Sequence, residues 1–301
     1  MADPYSVPGI TDINKDHFVK ASALRGFVKA CAIRSTDLCR QAQEYHNMTP
    51  SVMCALGRFM TGSLLLSENM KNPTDTQTTI IKAEGPIGGM TCVCDSSFNC
   101  RAYPVVSRIE GDESVNVKGA VAGGTLSVIR DIGLREPYGG QVELKTGGIG
   151  EDFTYYLMAS EQTPSIVALG VLIEKGKIKH AGGMMVQLMP GYDEKDVDYL
   201  EKRASGFPDY TYFLDEGFSP AQILDLFLGD PDMKYIEGAP VSFRCNCSKE
   251  KMSAGLATLG KADLEELASD EKGIDTECRF CNSKYHFEPA DIRALLKENQ
   301  A

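Results

Sequence analysis

No run of apolar residues in this 301-residue chain approaches the roughly eighteen needed to cross a membrane, so a membrane span is not expected. Residues 1–16 lack the basic-then-apolar pattern of a secretory signal and carry Asp3, Pro4, Pro8 and Asp12 instead. Secretion is therefore not indicated, and a cytoplasmic protein is expected. Basic residues are few: 31 Lys and Arg against 42 Asp and Glu leave a formal charge of −11. That sign argues against a nucleic-acid partner, whose phosphates call for a basic face. Of only four histidines, His17, His46, His180 and His286, none stands in a recognisable pairing with a nucleophile or carboxylate. The glycine-rich pieces at 85–89 and 147–150 lack the strand, loop, Lys-Ser/Thr and helix order of a phosphate cradle and read as turns.

An apolar content of 43% supports one sizeable core with one or two satellites. In the first 190 residues the pattern predicts a strand over 25–34, a helix capped by Ser35 or Thr36, and a second helix opened by Thr49-Pro50. Strands follow over 78–83, 88–94, 101–106, 125–130 and 141–144. A helix over 151–160 then leads to strands over 166–174 and 180–189. Strands cluster rather than alternating with helices, which favours an α+β fold. Cys92, Cys94 and Cys100 have no fourth partner nearby, and with Cys31, Cys39 and Cys54 they read as core residues.

Between Pro190 and Pro240 twelve acidic residues face four basic ones, among aromatic and aliphatic side chains. Asp193 and Glu194 open a helix bearing Val197, Leu200 and Ala204, and Ser219-Pro220-Ala221-Gln222 is a capping box closed by Gly229. Self-repelling charge on apolar helices predicts a segment of marginal stability. The chain thus divides into an amino-terminal α+β core domain with a large mixed sheet over 1–190, an acidic helical linker over 191–240 and a small module over 241–301.

That last module holds Cys245-Asn246-Cys247 and Cys278-Arg279-Phe280-Cys281. Two such pairs about thirty residues apart close a tetrahedral thiolate cage around zinc, and each pair is also capable of oxidation to a disulfide. Four thiolates make a closed structural set with no open position for catalysis. His286 is a possible substitute ligand but reads as a strand residue. The expected module core, Met252, Leu256, Leu259, Leu264, Leu267, Phe280 and Phe287, is small enough that bound zinc, on the order of 10 kcal/mol, would supply much of the folding free energy.

These motifs resemble the 33-kDa heat-shock protein family of redox-regulated holdase chaperones. Cys245-Asn246-Cys247-Ser248 and Cys278-Arg279-Phe280-Cys281-Asn282 carry the resemblance, with Gly182 to Pro190 and Ser160 to Pro164 in support. The resemblance implies a reduced, inactive, bacterial cytoplasmic monomer with one zinc on Cys245, Cys247, Cys278 and Cys281. It also implies Cys245–Cys247 and Cys278–Cys281 disulfides on oxidation, zinc release, linker unfolding and an active homodimer that binds unfolding proteins without ATP. Three rivals are weaker. A zinc-ribbon nucleic-acid binder is disfavoured by nine basic against eleven acidic residues over 241–301. A thiol-disulfide oxidoreductase is disfavoured by Asp275 and Glu277 beside Cys278, and a metal hydrolase by the closed ligand set.

Overall fold

The computed structural model describes residues 5–298 and divides into two compact units, Met1–Arg244 and Cys245–Ala301. Asp3 and Pro4 lie outside the described residues. The first unit runs β1 (His17–Ala23), β2 (Val28–Arg34), α1 (Thr36–His46), α2 (Pro50–Leu66), β3 (Thr76–Ala83), β4 (Gly89–Asp95), β5 (Asn99–Pro104) and α3 (Val117–Val121). It continues through β6 (Gly124–Asp131), β7 (Tyr138–Glu143), α4 (Gly150–Glu161), β8 (Ser165–Glu174) and β9 (Lys177–Leu188). Three helices follow, α5 (Glu194–Ser205), α6 (Tyr210–Asp215) and α7 (Pro220–Leu228), then β10 (Lys234–Pro240) and β11 (Ser242–Phe243). The second unit holds α8 (Lys249–Leu256), α9 (Lys261–Ser269), β12 (Ile274–Glu277), β13 (Lys284–Phe287) and α10 (Pro289–Glu298). The fold is α+β. Among the described residues no helix is long and apolar enough to cross a membrane.

Two sheets organise the first unit. An antiparallel sheet has the order β10-β1-β2-β9-β8, and a second has β11-β5-β4-β3-β6-β7, in which only the β11–β5 pair is parallel. The helix α2 is buried almost all round and packs on strands of both sheets, as its apolar and small residues, interrupted only by Arg58, require. Gly62 leaves room for the neighbouring helix α4, since a Cβ there would lie 2.3 Å from the Phe153 ring. Glu68, just past α2, has a fully buried carboxylate that meets Lys20 of β1 at 2.7 Å and also Lys29 of β2. A buried charge is tolerated only when paired in this way.

Alternation along the five-stranded sheet decides what covers its other face. Val19, Ala21, Val28, Ala30, Ala32, Met184, Val186 and Leu188 form one apolar surface, and Leu200, Tyr210, Leu214, Ile223, Leu224 and Phe227 of α5–α7 close over it. Gly182 leaves room for this cover: a Cβ there would come within 2.7 Å of the Tyr210 ring. The acidic side chains of the segment serve as caps and pairs. Asp193 caps α5, Asp196 meets Arg25 at 2.9 Å, Asp215 meets Lys179 at 2.7 Å, and Asp230 accepts the Leu24 N–H at 2.6 Å.

Several elements differ from the sequence expectation. The stretch over 191–240 is helical only as far as Leu228. Residues 234–240 form β10, which pairs with β1 from His17↔Pro240 to Ser22↔Lys234. A strand whose partner lies more than two hundred residues away leaves no local signal. Arg25 sits at φ 62 in the turn between β1 and β2 rather than in a strand. Ser35 makes no capping bond to α1; the Asp16 carboxylate does so instead, accepting Thr36 N–H at 2.9 Å and Leu38 N–H at 2.8 Å.

Candidate metal centre

Short elements with strong local signals build the site. Ser248 accepts the Lys251 N–H and caps α8, turning the chain immediately after Cys247. Cys278 to Cys281 occupies the turn between β12 and β13, where Cys278 N–H donates to the Ser283 carbonyl at 2.9 Å and Asn282 N–H to the Cys278 carbonyl at 2.7 Å. Asn282 takes the left-handed conformation, φ 57, that closes the turn. The core behind it is Leu264, Ala268, Phe287 and Ile292, with Met252, Leu256 and Leu267 partly buried. Two expected members are absent from it. Leu259 is 38% exposed, because α8 ends at Leu256, and Phe280 rides on the turn outside the cluster. Ile292 of α10 occupies the interior in their place.

Cys245, Cys247, Cys278 and Cys281 converge. Their sulfurs lie within 4.8 Å of one another, with Cys245 to Cys278 at 3.6 Å and Cys247 to Cys281 at 3.4 Å. A tetrahedral zinc–thiolate centre with bonds of about 2.3 Å places its sulfurs roughly 3.8 Å apart, so the spacing and the donor set fit that metal. Backbone donors support charge on the sulfurs: the Phe280 and Cys281 N–H groups point at Cys278, and the Cys247 N–H points at Cys245. The Tyr285 hydroxyl donates to Cys247 Sγ at 3.0 Å.

Protons are unevenly held within the cluster. Burial would raise the Cys247 thiol, but hydrogen bonds from Tyr285 and the neighbouring cysteines outweigh it and bring Cys247 down to about 7. Burial dominates at Cys245 and Cys278 and pushes both upward. The thiolate beside it pushes the Tyr285 phenol up to about 12, so Tyr285 remains a donor at neutral pH. His286 is no ligand here. Its Nδ1 lies 2.8 Å from the Asp275 carboxylate across the hairpin, and that bond raises its pKa. Cys92, Cys94 and Cys100 are buried in the first unit, as are Cys31, Cys39 and Cys54.

Sequence reasoning missed Tyr285. The signal was present, since period-two alternation along β13 places Tyr285 on the same face as the buried Phe287. The Cys278–Cys281 motif also follows a strand rather than opening a helix, so it lacks the helix dipole that lowers a thiol pKa in dithiol oxidoreductases.

Comparison with known proteins gives a consistent result. The family described as Hsp33 protein matches residues 16–288. The "33 kDa chaperonin" of Ruminiclostridium cellulolyticum is 42% identical over 288 residues, covering 94% of this chain and 99% of that protein. The protein of the same name from Enterococcus faecalis is 37% identical, covering 94% and 97%. The crystal structure of the 33 kDa chaperonin (heat shock protein 33 homolog) of Thermotoga maritima superposes with a TM-score of 0.85 at 27% identity, covering 95% of this chain and 99% of that one.

Proposed function

The chain belongs to the Hsp33 family, which carries a chaperone function, and from that premise we propose an ATP-independent holdase switched by the redox state of its four-cysteine centre. The observation that supports the switch is the convergence of Cys245, Cys247, Cys278 and Cys281 within 4.8 Å from two short motifs. Bound to all four sulfurs, zinc would supply structural cross-linking rather than a reactive site. The small core of Leu264, Ala268, Phe287 and Ile292 makes the carboxyl-terminal unit dependent on that cross-link.

Oxidation consumes the ligands. A hydroperoxide accepts two electrons from each pair of thiols: one sulfur becomes a sulfenic acid, and the second displaces its hydroxyl as water. A disulfide sulfur no longer competes for zinc. All four sulfurs are near one another while the unit is folded. Once it loosens, only cysteines two or three residues apart stay close, which favours Cys245–Cys247 and Cys278–Cys281 over bonds between the motifs.

The chaperone surface in this reading is the face of the five-stranded sheet now beneath α5–α7, together with the helix faces that cover it. Residues 191–240 act as the metastable linker, and 241–301 as the redox module. An apolar groove of about 480 Å³ already opens beside α5, lined by Tyr155, Met158, Ile166, Val186, Leu188 and Leu200. Release of the linker would enlarge it into the kind of continuous apolar patch that binds unfolding proteins. The active form is a cytoplasmic homodimer.

Aggregation of a heat-unfolded client, followed with reduced and with peroxide-treated chain while zinc release is monitored, tests the proposal. Suppression only by the oxidised chain, with one zinc released per chain, is expected. Equal suppression by both forms refutes the switch.

A further inference from the structure

Three cysteines outside the metal centre meet inside the amino-terminal unit. Cys92 and Cys94 share one face of β4, and Cys100 on β5 lies opposite Cys94. All three are buried, and the Cys92 and Cys94 sulfurs are 3.8 Å apart. Among the described residues the only metal-type cluster is the one at Cys245, Cys247, Cys278 and Cys281, whereas these three buried thiols lie on and across one strand pair, where a cross-strand link is the chemistry open to them.

Backbone register selects the pair. Val105 N–H donates to the Gly89 carbonyl at 2.8 Å. Alternating along β4 and β5 from that hydrogen-bonded pair puts Cys94 and Cys100 in a non-hydrogen-bonded one. The Cys100 carbonyl agrees with this phase, since it points away from β4 and accepts the Arg244 N–H at 2.8 Å. In such pairs the α-carbons approach to about 4.5 Å, within the range that a disulfide spans. Cys92 and Cys94, two residues apart on an extended strand, are separated by roughly 6.6 Å, at the upper limit of that range.

We infer that Cys94 and Cys100 form a second redox couple, closing to a buried cross-strand disulfide while Cys92 stays reduced. With hydrogen peroxide as oxidant, the first sulfur to react cleaves the O–O bond and becomes a sulfenic acid, releasing one water. The other sulfur then displaces the hydroxyl as a second water, so two thiol protons and two electrons pass to one peroxide. The bond staples β4 to β5, the strand on which β11 rests through Ser242↔Asn99 and Phe243↔Cys100. Its redox state therefore bears on the root of the segment that leads into Cys245. This couple is independent of the four-cysteine switch, and either can fail without the other.

The test uses the full chain, treated with hydrogen peroxide, cleared of oxidant, then denatured in iodoacetamide and digested with trypsin and a protease that cuts before aspartate. Cleavage before Asp95 leaves Cys92 and Cys94 on one peptide and Cys100 on another. The expected product is the two peptides joined, lighter by two hydrogens than their sum, with one alkylated cysteine. In Cys92→Ala the peptides remain joined and none is alkylated. Separate, fully alkylated peptides after the four ligand cysteines have oxidised would overturn the inference. So would a Cys92–Cys94 bond with Cys100 alkylated, or loss of the joined product in Cys92→Ala.

Discussion

Truncating Phe227 asks whether α5–α7 open separately from the sheet beneath them. Phe227 is fully buried, its ring standing edge-on to Phe207 at 4.9 Å and 90° within the cluster that joins α7 to the sheet. Phe227→Ala removes that contact at a cost of about 3–5 kcal/mol. If the three helices open as a local unit, the whole cost falls on their opening equilibrium. At about 1.4 kcal/mol per tenfold, the open population rises by roughly two to three and a half orders of magnitude. Leu64→Ala, at a fully buried position of α2, has a comparable cost of about 2–5 kcal/mol but falls on the core. Limited proteolysis of the reduced, zinc-loaded chains, with cleavage sites mapped and client aggregation measured alongside, separates the two. Phe227→Ala is expected to be cut within 191–240 and to suppress aggregation without oxidant, whereas Leu64→Ala only lowers the melting midpoint. If Phe227→Ala merely melts earlier as a whole, with no selective cleavage, the helices are not a separate cooperative unit and the reasoning fails.

Tyr285→Phe removes only the hydroxyl that donates to Cys247 Sγ. Zinc affinity of the reduced chain, measured by competition with a chromophoric chelator, is expected to fall about tenfold, as for other partners of metal ligands; an unchanged affinity would show that the hydroxyl plays no part. Asp16 provides a pH signature, because burial pushes its carboxyl up to about 7 against the pull of the Leu38 and Thr36 N–H groups. A folded value above the ordinary 3.8 means that the native chain binds this proton more tightly. The stabilisation is therefore complete below 3.8 and is lost as pH rises through about 7. The urea midpoint of the native chain minus that of Asp16→Asn should fall across this window and level off above it, and a flat difference would contradict the assignment.

The elements legible in the sequence are those that carry their own ends. α5 begins at Asp193 with its capping side chain, and α7 runs from the Ser219–Gln222 box to Gly229, which takes the left-handed cap at φ 57. Each of these signals acts within four residues. The elements that escaped notice depend on distant partners. β1 and β10 specify one another across the chain, and the cap of α1 comes from Asp16, twenty residues upstream. Not every unpredicted element is of that kind: α3 carries its own Asn116 cap on the Gly119 N–H, and Pro289 and Asp291 mark the start of α10.

By itself the sequence singled out the candidate metal-ligand set, because thiol chemistry and the spacing of Cys245, Cys247, Cys278 and Cys281 admit few uses, and the structure brings those four sulfurs together. It also showed an acidic segment with apolar faces in need of cover. Only the tertiary structure decided what that segment covers, which tyrosine supports Cys247, and that Cys94 faces Cys100 across a non-hydrogen-bonded pair. The division is physical: ligand identity resides in side-chain chemistry, whereas proximity across strands depends on register, and register is set by how the whole sheet packs.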